Sequence, residues 1–296
     1  MLLTTQKIGS QLLCALAQLE VGQSILIGDA FYPALDPNTE IVSGEGLQVH
    51  QLVDAISSIM PVSEVRMMAV VEGDEVGHSQ ALLESIKASL TANDCQKPTP
   101  TFIERYACYD LRPSLTIKTT HEIQYGNVWL TRGEGGLKGF APELTPKALK
   151  ALYDSGHGSF LSIMQANCDI SIAAGIPTIE FEKTKLAINA LVPHWSADHE
   201  KYSQFAAFFM EGRNEDLAVE MLKSVWKNDE GYRSFDEPIV EKGRSDIQLE
   251  LIKARFHVLN VRTEEKGDGC IVVNKGLTRG LDSISPIEQA HTSQGE

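Results

Sequence analysis

Apolar positions repeat in the same order in the two halves of this chain. In the first half they fall on one face of a predicted helix, at Ile8, Leu12, Leu13, Leu16 and Leu19. The second half repeats this spacing within residues 145–158, where Thr145 stands as a helix N-cap and Gly156 is placed to end the helix. The apolar strands that follow, at 24–28 and 160–164, lie 136 residues apart (160 − 24). The pattern therefore predicts one domain that occurs twice.

The later predicted elements of the first half also have counterparts in the second half. Small insertions change the number of residues that separate each element from its counterpart. Predicted helices lie at 47–60, 79–90, 186–192 and 214–226, and predicted strands at 65–71, 115–118, 125–131, 206–210, 257–262 and 270–274. Short alternating β and α elements are typical of an α/β domain whose sheet is mostly parallel. We therefore predict an α/β fold made of two tandem copies of a three-layer α/β domain, each with a largely parallel central sheet.

The repeat also sets the expected domain limits. The first copy is predicted to cover residues 1–135 and the second residues 136–278, joined at the glycine-rich turn 134–136. Residues 279–296 include a stretch rich in Ser, Gln, Glu and Pro, and they are predicted to form a disordered tail.

Charge and composition narrow the classes of partner. The formal net charge is −14, which disfavours nucleic acid and anionic membranes as partners but not a neutral sugar. The longest apolar runs are far shorter than the roughly 20 residues of a membrane span. The five cysteines form no CxxC pair, as is typical of reduced thiols, and no basic-then-apolar signal opens the sequence. We therefore expect a cytoplasmic protein.

No cofactor or metal site is expected from the motifs. Residues 133–136 are glycine-rich but follow a terminal strand, so they do not form a dinucleotide-binding turn, and no P-loop is present. Most histidines are scattered without metal-ligand spacing: His50, His78, His121, His194, His199 and His257. By contrast, Asp29 and Gln165 each follow an apolar strand directly, at the strand end where parallel sheets bind ligands.

Several segments, in register over a domain of suitable length, resemble the ribose pyranase / fucose mutarotase family. They are Gly-His-Gly at 156–158, Gly-Asp-Ala-Phe-Tyr-Pro at 28–33, Met-Met-Ala-Val-Val-Glu-Gly-Asp at 67–74, Ile-Glu-Arg-Tyr-Ala-Cys-Tyr at 103–109 and Tyr-Gly-Asn at 125–127. The segments at 67–74 and 103–109 are similar to the fucose mutarotase branch. The resemblance covers residues 1–133 well and residues 137–277 more weakly.

The resemblance implies a cofactor-independent isomerase that interconverts anomers or ring forms of a monosaccharide such as fucose or ribose. It also implies a ring-like homo-oligomer with a cleft shared by neighbouring subunits. One subunit supplies a histidine, an aspartate and an arginine, and the next supplies a tyrosine and an asparagine. This chemistry suits histidine, because ring opening needs one proton delivered and another removed near neutral pH.

Carried over residue by residue, the family's site is divided between the copies. The first copy keeps the aspartate, arginine, tyrosine and asparagine but has Val21 in place of the histidine; the second keeps the histidine. The predicted catalytic residues are His157 and Asp29. The predicted sugar-binding residues are Arg105, Tyr125, Asn127, Gln165 and Tyr109. Gln165 stands at the second copy's aspartate position, and residues 268–270 (Asp-Gly-Cys) replace Tyr-Gly-Asn. No residue there is in register with Arg105, since Arg244 and Arg255 are both displaced.

Two composite sites follow if the copies pair as family subunits do. In one, His157 and Gln165 face Tyr125 and Asn127, and this site is predicted to be the active one. In the other, Asp29 and Arg105 face residues 268–270, and this site is predicted to bind without turnover or to be inactive.

Simpler structural roles remain open for the same residues. His157 could cap the end of a helix, Asp29 could cap a loop, Arg105 could pair with surface carboxylates, and Tyr125 and Asn127 could simply begin a strand. Two other functions also remain open. One is a catalytically degraded homologue that binds a sugar as a sensor or regulatory subunit, and the other is a protein that keeps only the ring-forming surfaces.

Overall fold

The computed structural model describes residues 8–33, 39–44, 46–70, 80–156, 159–170, 176, 178–195, 207–210, 239–254 and 258–274. The chain divides into two compact units, with the boundary between Lys150 and Ala151. This boundary lies beyond the predicted joint at 134–136, so the limits 1–135 and 136–278 stay a prediction. His157, the predicted helix at 214–226 and the predicted tail at 279–296 lie outside the described residues. No helix in the described part of the chain is long and apolar enough to cross a membrane.

The first unit contains a six-stranded sheet with helices between its strands. Its elements are α1 (Ser10–Gln18), β1 (Ser24–Gly28), β2 (Glu40–Ser43), α2 (Val49–Ile59), β3 (Val62–Met68), α3 (Gln80–Ala92), β4 (Thr101–Ile103), α4 (Arg105–Cys108), β5 (Leu115–Lys118) and β6 (Val128–Arg132). The strand order is β2-β5-β1-β6-β3-β4. Strand β6 runs antiparallel to both β1 and β3, and the other neighbours are parallel. The sheet is therefore mixed but mostly parallel.

Local sequence explains why the first unit's main elements form. The five apolar residues predicted for the first helical face are all buried. Helix α2 begins with a capping box in which the side chains of Gln48 and Gln51 bond reciprocally to each other's backbone. Strand β1 has the sequence SILIG, and its last four residues are buried because β1 lies inside the sheet between β5 and β6. Burial of these apolar faces stabilises the unit and fixes the end of β1 at Gly28.

The second unit contains another six-stranded sheet. Its elements are α5 (Pro146–Asp154), which spans the unit boundary, β7 (Phe160–Met164), β8 (Thr178–Phe181), α6 (Thr184–Trp195), β9 (Ala207–Met210), β10 (Ile239–Lys242), α7 (Arg244–Ala254), β11 (Val258–Thr263) and β12 (Cys270–Asn274). The strand order is β10-β9-β12-β7-β11-β8. The predicted cap of α5 is confirmed, since the N–H of Ala148 donates to Thr145 Oγ1 at 3.2 Å.

The two sheets have the same topology. Read from its other edge, the second order is β8-β11-β7-β12-β9-β10, in which each strand number is six higher than its counterpart in the first sheet. Strand β12 runs antiparallel to β7 and β9, as β6 does to β1 and β3, and the remaining neighbours are parallel in both sheets. The mixed α/β fold with largely parallel sheets is therefore confirmed. That the units arose by duplication stays an inference, which this shared topology supports.

Several element bounds agree with the sequence pattern and others shift. Strands β1, β5, β7 and β12 have the predicted bounds. The strand predicted at 125–131 begins at Val128 instead, because Tyr125 adopts a left-handed backbone conformation (φ 59°) in the preceding turn. The strand predicted at 65–71 is Val62–Met68, three residues earlier at each end. Strands β2, β4, β8 and β10 were not predicted.

Candidate functional site

Asp29 directly follows β1 and is the most enclosed polar residue of the candidate site. Its relative exposure is 2%. Its carboxylate accepts hydrogen bonds from the backbone N–H of Phe31 (3.0 Å, to Oδ1), the backbone N–H of Gly126 (3.1 Å, to Oδ2) and Asn127 Nδ2 (3.0 Å, to Oδ2). Burial raises the pKa of Asp29, although these hydrogen bonds act in the opposite direction. The backbone of Tyr32 is a further hydrogen-bond partner, so the carboxylate is held rigidly by donors of its own unit.

Asn127 is the partner that fixes Asp29. It immediately precedes β6, the antiparallel neighbour of β1, so the end of one strand meets the start of the other. Its Oδ1 accepts from the backbone N–H of Asp29 at 2.9 Å, while its Nδ2 donates to the carboxylate. The same Nδ2 approaches Met68 Sδ at 3.9 Å. The amide therefore positions Asp29, and the sugar-binding role of Asn127 stays a prediction.

The turn that carries Tyr125 brings a backbone donor to Asp29. The left-handed conformation of Tyr125 lets the N–H of Gly126 point at the carboxylate. A Cβ atom on Gly126 would clash with the side chain of Ile123, so this position requires glycine. The Tyr-Gly-Asn sequence therefore acts as one unit: a strained residue, a glycine and an amide that together hold one carboxylate.

An arginine and an aromatic wall lie at the Tyr125 turn of the same unit. Arg105, the first residue of α4, donates a hydrogen bond to the side chain of Tyr109, and this bond is the main reason its pKa is raised. Its guanidinium carbon lies 6.0 Å from the centre of the Tyr125 ring. Tyr109 stacks on Tyr32 with ring centres 5.7 Å apart, and Tyr32 meets Trp129 edge-on at 6.0 Å. Burial raises the pKa of Tyr32 to about 12, so this phenol stays neutral.

The position of the missing histidine lies at the other end of β1. Val21 belongs to the turn before this strand, where the N–H of Gly22 donates to Arg132 O at 2.9 Å. Asp29 follows the strand, and five residues of strand span about 16 Å. Within one unit, the histidine position and the aspartate are therefore separated by the length of β1.

This geometry corrects the expected division of the site between subunits. The aspartate and arginine were expected from one subunit and the tyrosine and asparagine from the next. Instead Asp29 bonds to Asn127 of its own unit, because β1 ends where β6 begins. Arg105 of that unit lies 6.0 Å from the centre of the Tyr125 ring and follows β4, the edge strand that pairs with β3. The role of His157, which lies outside the described residues, stays a prediction.

The second unit keeps the aspartate's place in the fold but not its chemistry. Gln165 follows β7 and is 7% exposed. Its Oε1 accepts from the N–H of Gly269 at 3.0 Å, as Asp29 accepts from Gly126. Its side chain also hydrogen-bonds to Glu265. The amide of Gln165, a predicted sugar-binding group, is therefore engaged by its own unit.

The strand ladders fix which residues correspond between the units. Val128 pairs with Ile27 in the first sheet, and Ile271 pairs with Ile163 in the second. One residue earlier in each strand, Asn127 corresponds to Cys270, as the sequence alignment predicts. The second unit therefore has a thiol where the first has the amide that holds Asp29.

The ladders also supply a counterpart of Arg105 that the sequence comparison missed. The β3–β4 ladder ends at the pair Met68 and Ile103, and the β9–β10 ladder at the pair Met210 and Lys242. Two residues after each of these strands, Arg105 and Arg244 begin a helix. The expectation that Arg244 is out of register is therefore wrong. Arg244 forms an ion pair with Asp169.

A further residue of the first unit, His121, was missed because it lacks metal-ligand spacing. Its backbone C=O accepts from the N–H of Ala30 at 3.1 Å, next to Asp29. Its Nδ1 accepts from the N–H of Val49, at the start of α2, at 3.4 Å, so the ring proton lies on Nε2. Burial, with His50 nearby, lowers the pKa of His121, and Asp29 opposes this shift. Its place just beyond the end of β5 was the signal that could have identified it.

Part of this chain is similar to known proteins. Residues 3–134 match the model of a family described as the RbsD / FucU transport protein family. An L-fucose mutarotase of Glaesserella parasuis serovar 5 is 28% identical over 130 residues, which is 42% of this chain and 88% of that protein. An L-fucose mutarotase of Actinobacillus pleuropneumoniae serotype 5b is 26% identical over 133 residues, covering 43% of this chain and 91% of that protein.

A solved structure is also similar. It is the fucose mutarotase of Streptococcus pneumoniae in complex with L-fucose, which is 23% identical and has a TM-score of 0.40. The match covers 44% of this chain and 96% of that one.

Proposed function

We propose that the protein is a cofactor-independent monosaccharide mutarotase or pyranase, and the match of residues 3–134 to the RbsD / FucU family model supports this. Its proposed substrate is a monosaccharide such as fucose or ribose. Fucose is the sugar in the names of the similar mutarotases. The observation that carries the proposal is the rigid Asp29 carboxylate, held by Asn127 and Gly126.

Each group in the first unit suits a part of sugar recognition. The Asp29 carboxylate is proposed to accept one sugar hydroxyl, and its fixed partners keep the carboxylate from rotating away. Arg105 has five N–H donors, of which the Tyr109 bond uses one, so the others are available for hydroxyls. The face of Tyr109, 44% exposed, offers an apolar surface for the C–H side of a sugar ring.

The proton-transfer group is proposed to be His157 of a neighbouring chain. Ring opening requires a proton to reach the ring oxygen while the anomeric hydroxyl loses one, and closing reverses both transfers. Val21 cannot carry a proton, and its position lies a full strand length from Asp29 in any case. A histidine from a second copy, with Asp29, Arg105 and Tyr109, restores the full set of groups that the family resemblance implies.

The two units have lost complementary parts of the family's site. The first has Val21 in place of the histidine, and the second has Gln165 and Cys270 in place of the aspartate and asparagine. This pattern supports one type of active site, made from the histidine of the second unit and from Asp29 of the first unit with the groups that hold it, here called the Asp29 clamp. The reciprocal site lacks both the histidine and the carboxylate and is proposed to be inactive.

The shared site requires an assembly, and a ring-like homo-oligomer is part of the proposal. Large apolar side chains of the first unit are exposed, as expected of surfaces that become covered: Val21 at 60%, Phe31 at 62%, Ile41 at 48% and Tyr106 at 72%. Light scattering tests this directly. A mass well above 32.5 kDa supports the shared site, and a clean monomer of that mass contradicts it.

A sugar-binding homologue without turnover is the second candidate, and the valine at position 21 is the observation that favours it. The two functions separate in one NMR experiment on a panel of monosaccharides that begins with fucose and ribose. Saturation transfer from protein to sugar reports binding, and exchange between the anomer signals reports turnover. We expect both, and both are expected to fall in Arg105→Ala but not in the matched control Arg66→Ala, whose partner is Glu64. Binding without accelerated exchange selects the second candidate. If neither binding nor exchange is seen, both candidates are excluded.

A further inference from the structure

The second unit places two cysteines where the first unit has parts of its sugar site. Cys270 corresponds to Asn127, as the strand ladders show. Cys168 lies three residues after Gln165, as Tyr32 lies three residues after Asp29. An amide and a phenol in one unit are therefore replaced by two thiols in the other.

The backbone around these thiols brings them together. The N–H of Gln165 donates to Gly269 O and the N–H of Cys168 donates to Gln165 O, both at 3.0 Å. The N–H of Asn167 donates to Gly267 O at 2.8 Å. The loop after β7 is thus bonded along its length to the segment that enters β12.

The two side chains meet within this frame. Cys168 is 4% exposed and Cys270 is 2% exposed, and both belong to one hydrophobic cluster with Met164 and Val272. Each thiol is the neighbour with the largest effect on the pKa of the other. The shared cluster and the backbone bonds between their segments place the two thiols close together.

The surroundings make the two thiols chemically unequal. The hydrogen bond from Cys270 is the main cause that lowers the pKa of Cys168 to about 7, and the N–H of Ile170 and the charge of Arg262 act in the same direction. The pKa of Cys270 is raised well above its usual value, first by its bond to Cys168 and then by burial. Cys168 is therefore partly a thiolate near neutral pH, with a protonated thiol beside it.

We propose that Cys168 and Cys270 are a peroxide-reactive pair that closes to a reversible disulfide. The Cys168 thiolate attacks one oxygen of hydrogen peroxide, forming an S–O bond and breaking the O–O bond, and the hydroxide released becomes water. The sulfur of Cys270 then attacks the sulfenic acid sulfur of Cys168. The S–S bond forms, the S–O bond breaks, and the hydroxide leaves as water with the proton of Cys270. Two thiols are oxidised by two electrons and one peroxide is reduced to two waters.

The disulfide has a structural consequence within the second unit. It ties the loop after β7 to the start of β12, across a long intervening segment of chain. A cross-link over a long loop restricts the unfolded state, so the thermal unfolding midpoint of this unit is expected to rise on oxidation. The small size of hydrogen peroxide fits two thiols that are almost fully buried.

The test uses the full-length protein and peptide mass spectrometry. The protein is exposed to increasing hydrogen peroxide, alkylated under denaturing conditions and digested. We expect a peptide pair linked through Cys168 and Cys270 that dithiothreitol releases. Cys95 and Cys108 are matched internal controls, since they are buried thiols whose pKa burial raises, and they are expected to remain alkylated.

Two variants separate the roles of the thiols. In Cys270→Ser, Cys168 is expected to stop at the sulfenic acid and react with dimedone, whereas Cys168→Ser is expected to leave Cys270 reduced. The wild-type measurement stands even if a variant fails to fold. The proposal is overturned if Cys168 and Cys270 stay reduced at peroxide doses that already oxidise exposed methionines, or if either thiol pairs with a different cysteine.

Discussion

Asp29 and Asn127 hold each other through two hydrogen bonds, from Asp29 N to Asn127 Oδ1 at 2.9 Å and from Asn127 Nδ2 to Asp29 Oδ2 at 3.0 Å. Both residues are nearly inaccessible, with 2% and 3% exposure. The pair joins the end of β1 to the start of β6, so it is part of the fold as well as of the candidate site.

Removing this amide is expected to destabilise the first unit. Asn127→Ala leaves the buried N–H of Asp29 without its partner, which costs about 1–3 kcal/mol. It also removes one of the two donors to Asp29 Oδ2, which keeps its bond from Gly126. Denaturant unfolding measures the loss. Asn93→Ala is the matched control, because that amide bonds to Ser57 in a partly exposed setting and its loss should cost less. Equal losses in the two variants would contradict the special role of Asn127.

The imidazole of His121 is expected to titrate below its ordinary value of 6.5. Its Nδ1 accepts the N–H of Val49, so protonation there must break that contact at a helix N-terminus. Because folding lowers the pKa of His121, the neutral imidazole makes its full contribution to stability at pH values above its unfolded pKa near 6.5. The contribution is lost as the pH falls from 6.5 through the folded pKa. Proton and nitrogen NMR of the ring measures both the pKa and the Nε2–H tautomer, and a pKa above 6.5 contradicts this arrangement.

Two substitutions at Tyr109 separate its ring from its hydroxyl. Tyr109→Phe keeps the stack on Tyr32 but removes the partner of Arg105, and a net hydrogen bond of about 0.5–1.5 kcal/mol corresponds to roughly a 2- to 10-fold loss of sugar affinity. Tyr109→Ala removes the wall as well and is expected to bind more weakly still. Titration by NMR checks the order of affinities, with the parent above Tyr109→Phe and Tyr109→Phe above Tyr109→Ala. Unchanged affinity in Tyr109→Ala would exclude this face as the binding surface.

Restoring a histidine to the first unit is not expected to replace the one in the second. Val21 is 60% exposed, so Val21→His should fold with little change in stability. The complementary losses imply that position 21 serves the site that has Gln165 and Cys270, where no carboxylate is present. The double variant His157→Ala/Val21→His should therefore stay inactive. Rescued anomer exchange in that variant would show that the two units do not divide the site as proposed.

The central strands were predictable because their sequences leave few alternatives. SILIG, FLSIM and CIVVN are short apolar runs bounded by turns, and the structure gives them the predicted bounds. The edge strands β2, β4, β8 and β10 have only three or four residues, too few for a pattern to separate them from loops.

The site was predictable in its residue types but not in its arrangement. Asp29, Arg105, Tyr125 and Asn127 could be identified from local motifs. Their collection in one unit follows from the antiparallel pairing of β1 with β6 and from the placement of β4 beside β3, which are long-range contacts that sequence spacing does not reveal. Arg244 was missed for the same reason, since only the β9–β10 ladder shows its register.

The most direct test of the account is the exchange rate between the α and β anomers of fucose, measured by NMR for the parent protein and for His157→Ala. The account predicts that the parent accelerates exchange above the uncatalysed rate and that the variant loses this acceleration while still binding the sugar at the Asp29 clamp. An accelerated rate in the variant equal to that of the parent would contradict the assignment of His157 as the proton-transfer group.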